Sequence, residues 1–206
     1  MIRSPRPSPH PAAIAPALPP LPGPAAPWRV LAWRLVRYGS GLAAWAVAVL
    51  LLVRQTWYRG VEAAMAGHTI SSWLGYRVLV ARARQTVFFA FHGTGSAHML
   101  GLQITLGCSS DLLLIPILLT TGILLCVGPA SPLRVLAAAT MAAAIIVLIN
   151  MLRLVMIAAL VSSWGVPAGF GWGHTLFGSV LTLFGMFAAL VAFVLVLGRA
   201  RGARGV

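Results

Sequence analysis

Three reactive side chains stand out in a chain that is otherwise poor in polar groups. Cys108 is followed by Ser109, Ser110 and the only aspartate, Asp111, directly before the apolar run Leu112 to Val127. Ser and Asp are N-cap and first-turn residues, so a helix is predicted to start here. A thiol at such a start feels the positive end of the helix dipole and unpaired backbone N–H groups, both of which favour the nucleophilic thiolate. Arg153 interrupts a second long apolar run, with Asn150 three residues earlier on the same helical face. His174 opens the last apolar run, in Gly-Trp-Gly-His-Thr. Most free cysteines only fill a gap in a core, and a lone histidine at a membrane interface is ordinary. It is the combination of the three that points to a site.

The elements that would position them follow from composition. The chain is 60% hydrophobic and 8% charged, with a mean hydropathy of +0.94. Soluble domains carry about 25% charged residues, so the sequence predicts an all-α integral membrane protein of about four or five transmembrane helices. The net charge of +13 comes entirely from arginines. These cluster at the ends of apolar runs, where they act as topology signals and headgroup contacts and not as a nucleic-acid surface. The spans are expected at Leu35–Val53, Ser110–Val127, Val135–Val161 and Thr175–Leu197. Gly128–Pro132 forms an inner turn, and Ser162–Gly173 an outer loop anchored by Trp164 and Trp172. Between the first two spans lies a long outer region. In it Val61–Leu79 has mixed helical patterning suited to an interface, and Arg84–Leu106 reads as a hairpin or paired extended segments lying over the membrane, with a further span within 54–107 the alternative to a hairpin. Residues 1–30, rich in proline and alanine, are expected to be disordered and cytoplasmic, and no signal-peptide pattern is present in them. Residues 199–206 form a basic cytoplasmic tail.

With this layout the three residues share one depth. Cys108 sits at the outer start of the second span and His174 at the outer start of the fourth. Counted from Arg134, Arg153 lies about 28 Å up its helix, near the outer surface of an apolar core about 30 Å thick. An arginine inside a span is a functional-site hypothesis by default. A Cys–His pair supplies nucleophile and acid/base for acyl transfer, and an arginine aimed at the developing oxyanion stabilises the tetrahedral intermediate. Asp111, one turn from Cys108, could orient His174 or pair with Arg153. No metal or other cofactor is expected: carboxylates are too few and the histidines lack ligand spacing. No nucleotide motif is present. Cys126 lies about 27 Å from Cys108 along a single helix, too far for a disulfide.

Gly107-Cys108-Ser109-Ser110, Asn150-Met-Leu-Arg153 and His174 at the start of the last span resemble the exosortase/archaeosortase family of membrane cysteine transpeptidases. The resemblance runs from about Tyr58 to Leu197 and includes the Arg59…Glu62-Ala-Ala segment. The residue two after the cysteine, often Gly in that family, is Ser110 here. The resemblance implies a multi-spanning membrane domain over residues 31–198, in the plasma membrane, with its site on the extracytoplasmic face. It implies catalysis by Cys108, Arg153 and His174 with support from Asn150 and Asp111. The implied substrates are exported proteins ending in a short motif, a transmembrane helix and a basic tail, which are cleaved and transferred to a surface acceptor. Membrane lipid is the other expected partner, and nucleic acid is not one. The residues taken alone also fit a non-enzymatic membrane protein, a transporter subunit or assembly chaperone in which Arg153 is structural.

Overall fold

The computed structural model describes residues 27–93 and 96–198. The expected disordered N-terminus, up to residue 26, and the expected basic tail 199–206 therefore lie outside the described residues. The element order is α1 (Pro27–Val53), α2 (Gln55–Leu74), β1 (Arg77–Ala81), β2 (Thr86–Gly93), β3 (Ser96–Gln103), α3 (Asp111–Val127), α4 (Pro132–Gly165) and α5 (Gly178–Gly198). Two 3-10 turns, Arg82–Arg84 and Leu106–Cys108, and a wide π-helical segment, Val166–Phe177, complete it.

The helices start and stop where the chemistry requires. Pro132 opens α4, at a position where its missing N–H costs nothing. Gly75 ends α2 in the left-handed conformation, with φ 69°, and its N–H closes on Ser71 O at 3.1 Å. Two helical stretches, Leu31–Val53 and Pro132–Gly198, are long and apolar enough to cross a membrane, and Asp111–Val127 is apolar but shorter. Large apolar side chains on α1 and α5, among them Leu42, Val49, Leu183, Phe184 and Phe187, are exposed. Such a surface suits lipid and not water. The protein is a membrane protein.

The stretch Pro132–Gly198 doubles back on itself. The chain turns at Gly165, which has φ 78°, and the π segment and α5 then pack antiparallel along α4. Small residues make the seam. Gly169 lies against the backbone of Leu160 and Val161, Gly173 against Ile157, Gly178 against Arg153 and Gly185 against Ile149. Apolar burial drives little between helices in lipid, so close backbone approach at small residues supplies the contact. α1 crosses α3 in the same way, Gly41 over Gly122 and Cys126. Two side chains fasten that crossing: Trp45 Nε1 donates to Leu119 O at 3.1 Å, and Arg37 Nε donates to Leu125 O at 3.0 Å near the end of α3.

Two expectations are corrected. The chain is mostly helical but not all-α: β1, β2 and β3 form an antiparallel sheet in that order. The β2–β3 pair is the expected hairpin, while β1 begins inside Val61–Leu79, the stretch expected as an interfacial helix. The sheet exists because Val87, Phe89, Leu102 and Ile104 bury one face against Ala63, Ala66 and Ile70 of α2 and Leu154, Ile157 and Ala158 of α4. Second, Ser162–Gly173 is not a loop. α4 runs on to Gly165, the chain turns at that residue, and the π segment starts at the next one, because its glycines let it lie flat on α4.

A methyl group at Gly169 would sit 2.3 Å from Leu160 O and 2.5 Å from Val161 Cα, all rigid backbone, whereas Gly171 faces open space. Gly169→Ala should therefore cost about 1–3 kcal/mol by overpacking, and Gly171→Ala should leave stability unchanged. Thermal unfolding in detergent would measure both, and equal midpoints for the two variants would refute the seam.

Candidate active site

Cys108 closes the 3-10 turn that joins β3 to α3, its N–H bonded to Thr105 O at 3.0 Å. It is buried, 2% exposed, and belongs to the core between sheet, α2 and α4. His174 comes from the π segment, 66 residues later, and its Nε2 lies 3.0 Å from Cys108 Sγ. The π segment brings Phe170 alongside His174, with ring centroids 5.1 Å apart and planes 23° from parallel. That stacking holds the imidazole in the orientation that meets the thiol.

Arg153 is 5% exposed. Its Nη1 donates to Gly107 O at 2.9 Å, so the guanidinium grips the residue immediately before the thiol. Arg153 Nε is buried with no partner. Gly178 makes room for it: a Cβ there would stand 2.7 Å from Nε. A buried donor left unpaired is uncommon outside functional sites.

Below the thiol lies a polar knot that the spacing of Cys108, Arg153 and His174 did not reveal. Glu62, the only glutamate in the chain, is 1% exposed. Its Oε1 accepts from Ser110 N–H at 3.0 Å, from Ser110 Oγ at 2.6 Å and from Asn150 Nδ2 at 3.0 Å, and its Oε2 accepts from the Ser109 hydroxyl. Four donors meet one acceptor-only carboxylate, which is the arrangement a buried carboxylate needs. Ser110 spends its single proton on Glu62, so at 2.7 Å Tyr58 O–H donates to Ser110 Oγ. Burial pushes the Tyr58 phenol up to about 12; the Ser110 contact opposes this, and the nearby Glu62 and Asp111 carboxylates add to it. Tyr58 thus stays a neutral donor. Its signal in the sequence was weak, but a lone glutamate in so apolar a chain could have marked Glu62.

The other expected residues divide. Asn150 supports the knot and bonds Glu62. Asp111 starts α3 and is buried, but its Oδ1 accepts its neighbour Leu112 N–H at 2.7 Å and its Oδ2 has no partner. It bonds neither His174 nor Arg153. Ser110 holds the N-cap position without capping through its side chain, because its hydroxyl is committed to Glu62. Cys108 and Cys126 are both free thiols. Among the described residues no group of three or more His, Cys, Asp and Glu could hold a metal.

The fold and site together define a membrane protein that presents a thiol–imidazole pair beside a buried arginine. The family model for transmembrane exosortases matches residues 63–193, which contain Cys108, Asn150, Arg153 and His174. The chain belongs to the transmembrane exosortase family. No curated protein and no solved structure matches it significantly.

The knot carries its own test. Glu62→Ala leaves four donors without an acceptor and should cost about 3 kcal/mol or more. Glu62→Gln keeps the shape: its amide oxygen can serve Ser110 and Asn150 while its NH2 donates to a rotated Ser109 hydroxyl, so it should cost only about 1 kcal/mol. Unfolding midpoints in detergent for the two variants would show the difference. Equal losses would mean that the hydrogen bonds of Glu62 do not hold the site.

Proposed function

We propose that the protein is a membrane cysteine peptidase and transpeptidase that cleaves C-terminal sorting signals from exported proteins and passes the remainder to a surface acceptor. The observation that carries this is the 3.0 Å contact between Cys108 Sγ and His174 Nε2, made across 66 residues by a chain of the exosortase family. A thiol and an imidazole at that distance are a nucleophile with its base.

In the proposed reaction His174 takes the Cys108 proton and the sulfur attacks the scissile carbonyl. The oxyanion that forms is stabilised by N–H donors of Arg153, which gives one of its five to Gly107 and keeps others. The carbonyl re-forms as the C–N bond breaks. The leaving amine takes the proton from His174, and the substrate remains on Cys108 as a thioester. An acceptor nucleophile, deprotonated by His174, attacks the thioester and releases the thiol. The roles of Cys108, Arg153 and His174 follow the family pattern, and Asn150 keeps the supporting place described above. No contact of Asp111 supports a catalytic role for it.

The helices fit a chain that crosses the plasma membrane four times, through α1, α3 and the two arms of the α4–α5 hairpin. α3 reaches span length by including its flanking turns. Arg134 and the basic tail then lie on the cytoplasmic side, and Cys108 and His174 face out. Substrates would end in a short motif, an apolar helix and a basic tail. The helix would be held by lipid and by the exposed apolar faces.

The test is the size of a tagged reporter bearing such a signal from the same genome, in cells carrying each variant at matched abundance. Cys108→Ala and Cys108→Ser should leave the reporter at full length, because a hydroxyl is a poor nucleophile without a base tuned to it. Arg153→Lys should slow processing about 100- to 1000-fold although it keeps the charge, since a lysine cannot aim its donors as the planar fork does. Normal processing by the Cys108→Ala strain would refute the nucleophile. Processing independent of Cys108 would favour the non-enzymatic reading, and full rescue by lysine would make Arg153 a topological anchor only.

A further inference from the structure

β3 is an edge of the sheet, and its ladder with β2 fixes the direction of its free backbone groups. Ile104 N–H donates to Gln85 O at 2.8 Å, and the antiparallel register pairs Leu102 with Val87 and Leu100 with Phe89. Bonded and non-bonded pairs alternate along such a ladder. Residues 100, 102 and 104 therefore turn their backbone groups toward β2, and Met99, Gly101 and Gln103 turn theirs outward. Among the described residues no backbone partner meets these outward groups. An open strand edge is a template for pairing with another extended chain, and in or beside a membrane, water is a poor substitute for that partner.

The edge opens into a groove of about 290 Å³. Leu100 and Leu102 form one wall, and Ile157, Val161, Val166 and Phe170 the other. Two of its lining residues touch the catalytic pair directly. Thr105 accepts the Cys108 N–H, and Phe170 stacks on His174. The groove thus lies beside the catalytic pair, with Cys108 five residues along the chain from Gln103.

We propose that β3 is the substrate-docking strand. The segment of the substrate next to the scissile bond binds there in extended form, as a fourth strand beside β3. The backbone groups of Gly101 and Gln103 bond it, and its alternate side chains, which must be apolar, fill the groove. This mode gives affinity through main-chain bonds and specificity through pockets for every second side chain. It also delivers the next peptide bond toward Cys108 in a fixed orientation. The proposal rests on the proteolytic reading above.

Proline and alanine at position 103 separate backbone from side chain. The Gln103 N–H points away from β2, so a proline there spares the β2–β3 ladder, as at other sheet edges, but removes one docking bond. With the tagged reporter, Gln103→Pro should process about tenfold more slowly than Gln103→Ala, since both lose the side chain and only proline loses the N–H. Alkylation of Cys108 by iodoacetamide should proceed at the wild-type rate in both, which shows the site intact. As a second measurement independent of that variant's folding, a photo-reactive residue replacing Gln103 in a Cys108→Ala background should cross-link to the reporter at residues flanking the cleavage point. One replacing Leu79, on the opposite edge strand, should not. If the wild type processes the reporter but Gln103→Pro does so as fast as Gln103→Ala, or position 103 cross-links only to lipid or to a second copy of the protein, the docking strand is refuted and the protease reading stands. If the wild type leaves the reporter uncut, both fall.

Discussion

The carboxylate of Glu62 is the constraint on which the site depends. A carboxylate 1% exposed in so apolar a protein is tolerable only if its lone pairs are filled, since an unpaired buried charge costs several kcal/mol. The donors come from Ser109 and Ser110 at the start of α3 and from Asn150 on α4, while Glu62 itself sits on α2. Satisfying one side chain therefore fixes three helices relative to one another. Cys108 immediately precedes the two serines, so the same bonds set where the thiol lies. A glycine in place of Ser110 would keep the backbone N–H bond and lose both the hydroxyl bond to Glu62 and the link to Tyr58.

The second constraint is steric. Arg153 reaches Gly107 and His174 reaches Cys108 from the two arms of one hairpin, and the arms lie close only because glycines line their seam. Gly173 and Gly178 bracket the turn of helix that carries His174. The wide π turn places Phe170 and His174 in stacking contact, with the imidazole toward α3. Backbone shape and polar bonding thus converge on the same few ångströms: the seam brings imidazole and guanidinium in, and the Glu62 knot holds the thiol to meet them.

Much of this arrangement was readable in the sequence, and what was not has physical reasons. The three reactive residues could be set at one level because helix rise and the positions of Arg134 and the apolar runs fix depth. Contact between them could not be derived that way, since depth says nothing about which helix faces are neighbours. The β2–β3 hairpin announced itself in the apolar pieces around residues 86–91 and 100–106. β1 did not, because Arg77 and the apolar residues after it suit an interfacial helix equally well, and only packing on α2 decides. Val166–Phe177 has the glycine, proline and tryptophan content of a loop, yet is helical because its glycines rest on α4. Ser110 and Asp111 marked the start of α3 correctly. The Ser110 hydroxyl is diverted by a residue 48 positions earlier, and no local pattern shows such a partner.

In the proposed reaction Cys108 becomes covalently bound to its substrate through sulfur. The most direct measurement is the capture of that adduct from membranes expressing the protein with a tagged reporter. The membranes would be acid-quenched, run on a non-reducing gel and digested for mass spectrometry. A reporter–protein species that hydroxylamine cleaves, as it does a thioester, is expected, with the acyl group mapped to Cys108. A reporter that is processed while the only adduct forms at Cys126 or at a serine, or while no adduct forms even when the acceptor is depleted, would contradict it.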